Sequence, residues 1–181
     1  MKAPEQIATE RLLLRKPTLD DAQEIFDRYS SDPEVTRYLG WPMHTSVDET
    51  RAFLEWSDAE WERWPAGPYL ITLPGEDRLL GGTGLGFETA FRATTGYVLA
   101  KDAWGKGYAT EALLAMRSLA AEVGLKRLYA MCYPDHQPSR RVLEKGGFRF
   151  EGTLHRYLEF PNLHPGEAAD VVSYAWIVPD D

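Results

Sequence analysis

Cysteine is almost absent: the 181 residues contain one, Cys132. A lone thiol excludes an intramolecular disulfide framework and any cysteine-rich zinc module. Long apolar runs are missing as well. Met1–Arg15 holds only Leu12–Leu14, too short for a secretion signal, and nothing approaches the ~20 consecutive apolar residues that span a bilayer. His44, His155 and His164 lack metal-ligand spacing with one another or with carboxylates, so no metal is expected. Basic charge is in deficit, 20 Lys and Arg against 28 Asp and Glu, a net −8. That argues against the broad positive field of a nucleic-acid binder and is compatible with a cationic substrate. There is no low-complexity tract, linker or internal repeat. What remains is 44% hydrophobic, enough for a core, so the expectation is one cytoplasmic α/β domain over residues 1–181 with no membrane or nucleic-acid partner.

The order of elements follows from punctuation and periodicity. Arg11–Arg15 reads as a first strand. Thr18 and the carboxylates Asp20 and Asp21 open a helix with Ile25, Phe26 and Tyr29 on one face. Ser46–Glu49 matches a capping box and starts a second helix, whose face takes Phe53, Leu54, Trp56, Trp61 and Trp64, with Pro65, Gly67 and Pro68 as the stop. Tyr69–Leu73, a turn at Pro74–Asp77, and Leu79–Phe87 read as an antiparallel hairpin. Gly81, Gly82, Gly84 and Gly86 in its second strand predict bulges or close backbone approach. Thr95–Ala100 is the next strand. A helix from Thr110 stops at Gly124, Leu125–Tyr133 is a buried strand, Ser139–Lys145 a short helix, and Val171–Val178 a final strand.

The sharpest local feature joins strand to helix at Trp104-Gly105-Lys106-Gly107-Tyr108-Ala109-Thr110. A helix start exposes unpaired N–H groups and about half a unit of positive charge, and glycines let successive amides converge on one anion. The junction is either a phosphate cradle or only a tight turn. It is not the dinucleotide fingerprint, because Thr110 fills the last glycine position and a hairpin precedes the strand. An NAD(P)-dependent oxidoreductase, which would also need a ribose-binding acid, is therefore the weaker reading. No kinase-type phosphate loop occurs.

A second segment, His136-Gln137-Pro138-Ser139-Arg140-Arg141-Val142-Leu143-Glu144-Lys145, follows the next strand. Together the two segments resemble the acetyl-coenzyme A core of the Gcn5-related N-acetyltransferases (GNAT), closest to the branch that acetylates ribosomal-protein N-termini. Thr9–Arg15 is similar to that branch's opening strand and Gly96–Leu99 to its fourth. The resemblance implies a mixed, mostly antiparallel twisted sheet, splayed between the family's fourth and fifth strands, with helices on both faces. It also implies acetyl-CoA as cosubstrate and transfer to a primary amine, on a protein N-terminus or a small molecule.

Residue by residue, it places the pantetheine arm on the backbones of Tyr97, Val98 and Leu99. The family's Q/R-x-x-G-x-G/A loop falls on Trp104, Gly105, Lys106, Gly107, Tyr108 and Ala109, continuing into Thr110, with Trp104 where Gln or Arg is usual. His136, Ser139, Arg141 and Lys145 match the second segment; His136 stands for an asparagine that holds the coenzyme, and Arg140, Arg141 and Lys145 form a basic cluster for its phosphate. The N–H near Leu99 would stabilise the oxyanion. Leu143 occupies the position of a tyrosine acid, leaving Ser139 as hydrogen-bond donor to the departing sulfur. Thr94 replaces a glutamate base, with Glu88 as substitute. The acceptor groove is expected between Tyr38, Trp41, Phe87, Glu88 and Tyr157. Cys132, in an apolar strand, is expected to be a buried core residue rather than a nucleophile. A coenzyme-binding sensor without catalysis is the alternative, and aromatics near the C-terminus are compatible with a homodimer.

Overall fold

The computed structural model describes residues 2–76 and 78–179; Met1, Asp77, Asp180 and Asp181 lie outside them, and with Asp77 the end of the turn expected over Pro74–Asp77. Eight strands form one sheet in the order β1-β2-β3-β4-β5-β6-β8-β7. They are β1 (Gln6–Ala8), β2 (Leu13–Arg15), β3 (Pro68–Thr72), β4 (Leu79–Thr89), β5 (Arg92–Leu99), β6 (Arg127–Cys132), β7 (Arg149–Glu159) and β8 (Ala168–Ile177). Every pairing is antiparallel except β5 with β6.

The helices are α1 (Ala22–Ile25), α2 (Pro33–Thr36), α3 (Val47–Arg63), α4 (Tyr108–Glu122) and α5 (Gln137–Lys145). Sheet alternation sorts the core onto two faces. Tyr69 and Ile71 of β3 join α4 and α5 residues such as Leu113, Met116 and Leu143, whereas Leu70 between them joins Ile25, Tyr29 and Leu54 under α1 and α3. Among the described residues no helix is long and apolar enough to cross a membrane.

Local signals explain most boundaries. The Glu49 carboxylate accepts from the Thr45 and Ser46 amides and caps α3 as expected. The buried stripe on α3 is Thr50, Leu54, Ser57 and Trp61, and Trp56 falls off it with 52% exposure, so it is not part of the packed face. The helix expected after Thr18 is broken into a 3-10 turn (Leu19–Asp21), the single turn of α1 and a π turn (Phe26–Ser30), although Ile25 and Tyr29 are buried as the spacing implied. Asp21 is bonded to the Thr18 amide at 2.7 Å and to Arg15.

Three elements were not anticipated. The opening strand is preceded by β1, so the family's fourth and fifth strands are β5 and β6 here. Asp32 accepts from the Glu34 and Val35 amides ahead of Pro33 and caps the short α2. β7 has almost no buried positions and slips register between Leu154 and Leu158, where Arg156 takes φ +49°.

Candidate functional site

The parallel ladder between β5 and β6 is short. It runs from Arg92↔Arg127 to Thr94↔Tyr129 and then stops, although both strands continue, so the sheet opens as a wedge beyond Thr94. The Ala100 amide donates to Leu80 at 2.8 Å, and a Cβ on Gly81 would lie 2.0 Å from the Val98 carbonyl oxygen. Val98 and Ala100 therefore turn their main chain toward β4, and strand alternation turns Tyr97 and Leu99 toward the opening. Of the three backbones expected to bond pantetheine, Val98 is thus excluded: its groups face β4. The Leu99 carbonyl is taken by the Trp104 indole N–H at 2.8 Å, which gives Trp104 a bracing role at the loop. The open edge keeps the Tyr97 N–H and C=O and the Leu99 N–H.

The glycine loop lies at the end of this edge. Gly105 and Gly107 have φ of +73° and +82°, a left-handed backbone that glycine adopts without strain, and Gly107 caps α4. A Cβ on Gly105 would meet nothing within 4 Å, so the cradle has room for a ligand that approaches the backbone. The loop is held from the β1–β2 turn. Arg11 Nη1 donates to the Lys106 carbonyl at 2.9 Å and Nε to Glu111 at 2.7 Å, while the Arg11 amide and the Thr9 hydroxyl reach the other Glu111 oxygen. Partial burial of Glu111 raises its pKa, but the Thr9 and Arg11 hydrogen bonds outweigh it and hold the carboxyl below its usual range. This clamp joins residues about 100 positions apart, and nothing in local spacing announces it.

On the other side of the wedge stand the end of β6 and α5. The Tyr97 phenol crosses to α5, 2.9 Å from the Ser139 carbonyl and 3.0 Å from its hydroxyl. Burial raises the Tyr97 phenol and pushes the Cys132 thiol, which is also hydrogen-bonded to Ser139, up to about 11, so both favour the protonated form at neutral pH. The expected basic cluster divides. Arg140 is turned inward to the Tyr174 hydroxyl and the Pro134 carbonyl, whereas Arg141 and Lys145 are exposed, one turn apart. The His136 ring stacks on Tyr38 at 4.5 Å, and burial lowers its pKa, favouring neutral imidazole.

A cleft of about 320 Å³ extends from the closed end of the β5–β6 ladder and is lined by Glu88, Arg92, Arg127, Tyr129, Glu151 and Tyr157, among others. Glu88 is bonded to Arg92 at 2.6 Å and to the Tyr129 hydroxyl; Arg127 pairs with Glu151. Burial and then the Glu88 carboxylate push Tyr129 up to about 12. Of the residues expected to wall the acceptor groove, Glu88 and Tyr157 share this cleft. Phe87 does not: strand alternation turns it to the opposite face, where it is buried and stacked on Trp64 at 5.4 Å. Tyr38 and Trp41 belong to the segment between α2 and α3, beside His136 and His44. Asn162, in the β7–β8 connection, ties that segment down by accepting from the Met43 amide at 2.7 Å and donating to the carbonyls of Thr36 (2.8 Å) and Trp41 (2.9 Å).

Residues 11–149 match the family model of the acetyltransferase (GNAT) domain, which is more than half of the chain. The chain belongs to the GNAT family of acetyltransferases. It is 33% identical over 156 residues to the N-acetyltransferase p20 of Bacillus licheniformis, covering 84% of this chain and 87% of that one. A GNAT-family acetyltransferase from Bacillus anthracis superposes with a TM-score of 0.82 at 30% identity, covering 95% of this chain and 98% of that one. The ribosomal-protein α-N-acetyltransferase RimL, solved with coenzyme A in disulfide linkage to a cysteine, gives 0.83 at 25% identity, with 96% and 98% covered. The protein is thus an N-acetyltransferase on a mixed α/β GNAT fold, and the opening between β5 and β6 is the splay expected from the family.

Proposed function

We propose that this GNAT protein, as one domain over residues 1–181, transfers the acetyl group of acetyl-CoA to a primary amine, either a protein N-terminus or a small amine. The observation that carries the reading is the coincidence of three features: a β5 edge left unpaired from Tyr97 to Leu99, the left-handed glycines Gly105 and Gly107 beside it, and the polar cluster of α5 across the gap. The coenzyme found with RimL supports the same ligand here.

The free N–H and C=O of Tyr97 would hold the pantetheine arm as an added strand, with the Leu99 N–H at its thioester end. The amides of Gly105–Ala109, running into Thr110 in the first turn of α4, would hold the pyrophosphate, with Arg141 and Lys145 as the exposed cations for the ribose phosphate. His136 would meet the arm with one ring N–H while its face rests on Tyr38. Acetyl-CoA supplies the activated thioester carbonyl. The Leu99 N–H donates to the oxygen on which negative charge develops. Ser139 donates a hydrogen bond to the sulfur, whose thiol has a reference pKa of about 8.5 and needs little further help to leave. Glu88, already bonded to Arg92 and Tyr129, is the carboxylate that draws a cationic amine into the cleft and takes up its proton through water. Tyr38, Trp41 and Tyr157 would flank the acceptor.

Calorimetric titration of acetyl-CoA, CoA and NADH into the wild type and Gly107→Glu tests the site. The account expects acetyl-CoA and CoA to bind, NADH not to bind, and the variant to lose both ligands. A side chain at this left-handed position would be strained, and with its Cβ 3.3 Å from Arg11 Nη2 the carboxylate would draw Arg11 off the Lys106 carbonyl and deform the loop; circular dichroism checks that the variant is folded. Equal affinity in the variant would remove the loop from the site. A panel of amines and N-terminal peptides then identifies the acceptor.

A further inference from the structure

One wall of the cleft is irregular. Between Leu154↔Val171 and Leu158↔Ala169 the β7–β8 ladder is interrupted, and three residues of β7, His155, Arg156 and Tyr157, stand opposite Asp170 alone. Among the described residues Arg156 is the one non-glycine with a left-handed backbone, φ +49°. That conformation costs a side chain free energy and persists only where the surroundings hold it. Asp170 supplies the hold. One carboxylate oxygen accepts from the Arg156 amide at 2.8 Å, and the other lies 2.8 Å from His155 Nδ1, which donates to it. The bulge redirects a side chain. In an unbroken strand Tyr157 would point away from the face that Leu154 occupies, because successive residues face opposite ways. Here Leu154 and Tyr157 both line the cleft, together with Glu88 and Tyr129. Burial and then the Glu88 carboxylate raise the pKa of Tyr129, and the Tyr157 phenol adds to that shift, so the two phenols are neighbours in the cleft.

We propose that Asp170 is a positioning residue for the acceptor: its carboxylate holds the β7 bulge so that the Tyr157 ring stands in the cleft as a π face for the cationic amine that Glu88 attracts. The inference deepens the proposed function and rests on it. Two substitutions separate the hold from the charge. Asp170→Ala removes the hold. Asp170→Asn keeps it, because the amide oxygen still accepts from Arg156 and the amide nitrogen can donate to a neutral His155 ring. Acetyl transfer to butylamine and to an alanyl peptide with a free N-terminus is measured for the wild type, both Asp170 variants, Tyr157→Ala and the double variant Asp170→Ala/Tyr157→Ala. Amide exchange at Arg156 is a readout that needs no acceptor.

Asp170→Ala and Tyr157→Ala should each raise the KM for the amine about fivefold, the weight of one cation–π contact, with kcat and the Kd for acetyl-CoA unchanged. The double variant should go no further than either single one, because Asp170 acts through Tyr157. Asp170→Asn should stay within about twofold of the wild type. The Arg156 amide should exchange faster in Asp170→Ala and remain protected in Asp170→Asn. Asp170→Asn that raises KM as much as Asp170→Ala would show that the charge acts directly, and overturns the inference. Additive effects in the double variant, or a lowered Tm with the amine KM unmoved, overturn it too. Each of these results leaves the proposed function intact. A wild type that acetylates neither probe nor any other amine of the panel removes the proposed function, and this inference with it.

Discussion

The two halves of the site are built differently. The glycine loop and the first turn of α4 are short-range structure: two left-handed glycines, a helix start and a strand end lie within a dozen residues, stiffened from outside by Arg11 and Thr9. The acceptor half is long-range structure. Its proposed cleft is assembled from β4, β5, β6, β7 and β8, and the segment carrying Tyr38 and Trp41, outside that lining, is held by one asparagine side chain from another loop. A half made from contiguous residues presents one ligand geometry wherever the fold occurs, whereas a half made from loops can change its ligand without disturbing the sheet. The same chain can therefore belong plainly to a family and still keep its acceptor open.

Variants can sharpen that contrast. The largest effect is expected on the acceptor side. Asn162→Ala removes three part-buried hydrogen bonds and leaves the Met43 amide and the Thr36 and Trp41 carbonyls without their partner, a cost of about 2–3 kcal/mol to the docking of that segment. Steady-state kinetics should show a raised KM for the amine while the Kd for acetyl-CoA is unchanged; a raised coenzyme Kd would mean that the two halves are not separable. Next is Arg11→Ala, which deletes the bonds to Glu111 and to the Lys106 carbonyl. The Arg11 side chain is 46% exposed, so the loss is screened, about 1 kcal/mol or roughly fivefold in coenzyme affinity, with the KM for the amine unaffected.

A smaller effect is expected with pH. The Glu111 carboxyl is held below its usual range, so the clamp contributes stability above the unfolded pKa of about 4.3 and loses it as the pH falls through the lower folded value. In the acid limb of a Tm-against-pH curve, Glu111→Gln should flatten the fall below about pH 4.3; an unchanged limb would show that the clamp is not titrating there. The smallest effect is expected for Trp56→Gln. The side chain is half-exposed and off the packed stripe of α3, so the Tm should change by less than about 0.5 kcal/mol equivalent.

What was legible in the residues follows the same division. The α3 capping box, the β3–β4 hairpin, the turn into α4 and the stop at Gly124 depend on neighbours within a few positions, and each lies where local patterning put it. β7 was not legible because its residues neither alternate nor bury a face, and its register is interrupted at Leu154 and Leu158. α2 carried a readable signal, Asp32 before Pro33, that is weak for so short an element. Glu88 and Phe87 are adjacent in sequence but lie on opposite faces of β4, so one cleft on this sheet takes only one of the two side chains, a consequence of strand alternation. The Arg11–Glu111 clamp and the Asn162 tie join residues about 100 or more positions apart and become visible only in the folded chain.

The central claim is that the coenzyme occupies the β5–β6 wedge as an added strand. Amide hydrogen exchange, resolved by residue and measured with and without CoA, tests it most directly. The Tyr97 and Leu99 amides face the opening and should gain protection when CoA binds, whereas the Val98 amide, already turned to β4, should not change. CoA that binds without protecting Tyr97 and Leu99, or that protects Val98 instead, would contradict the account.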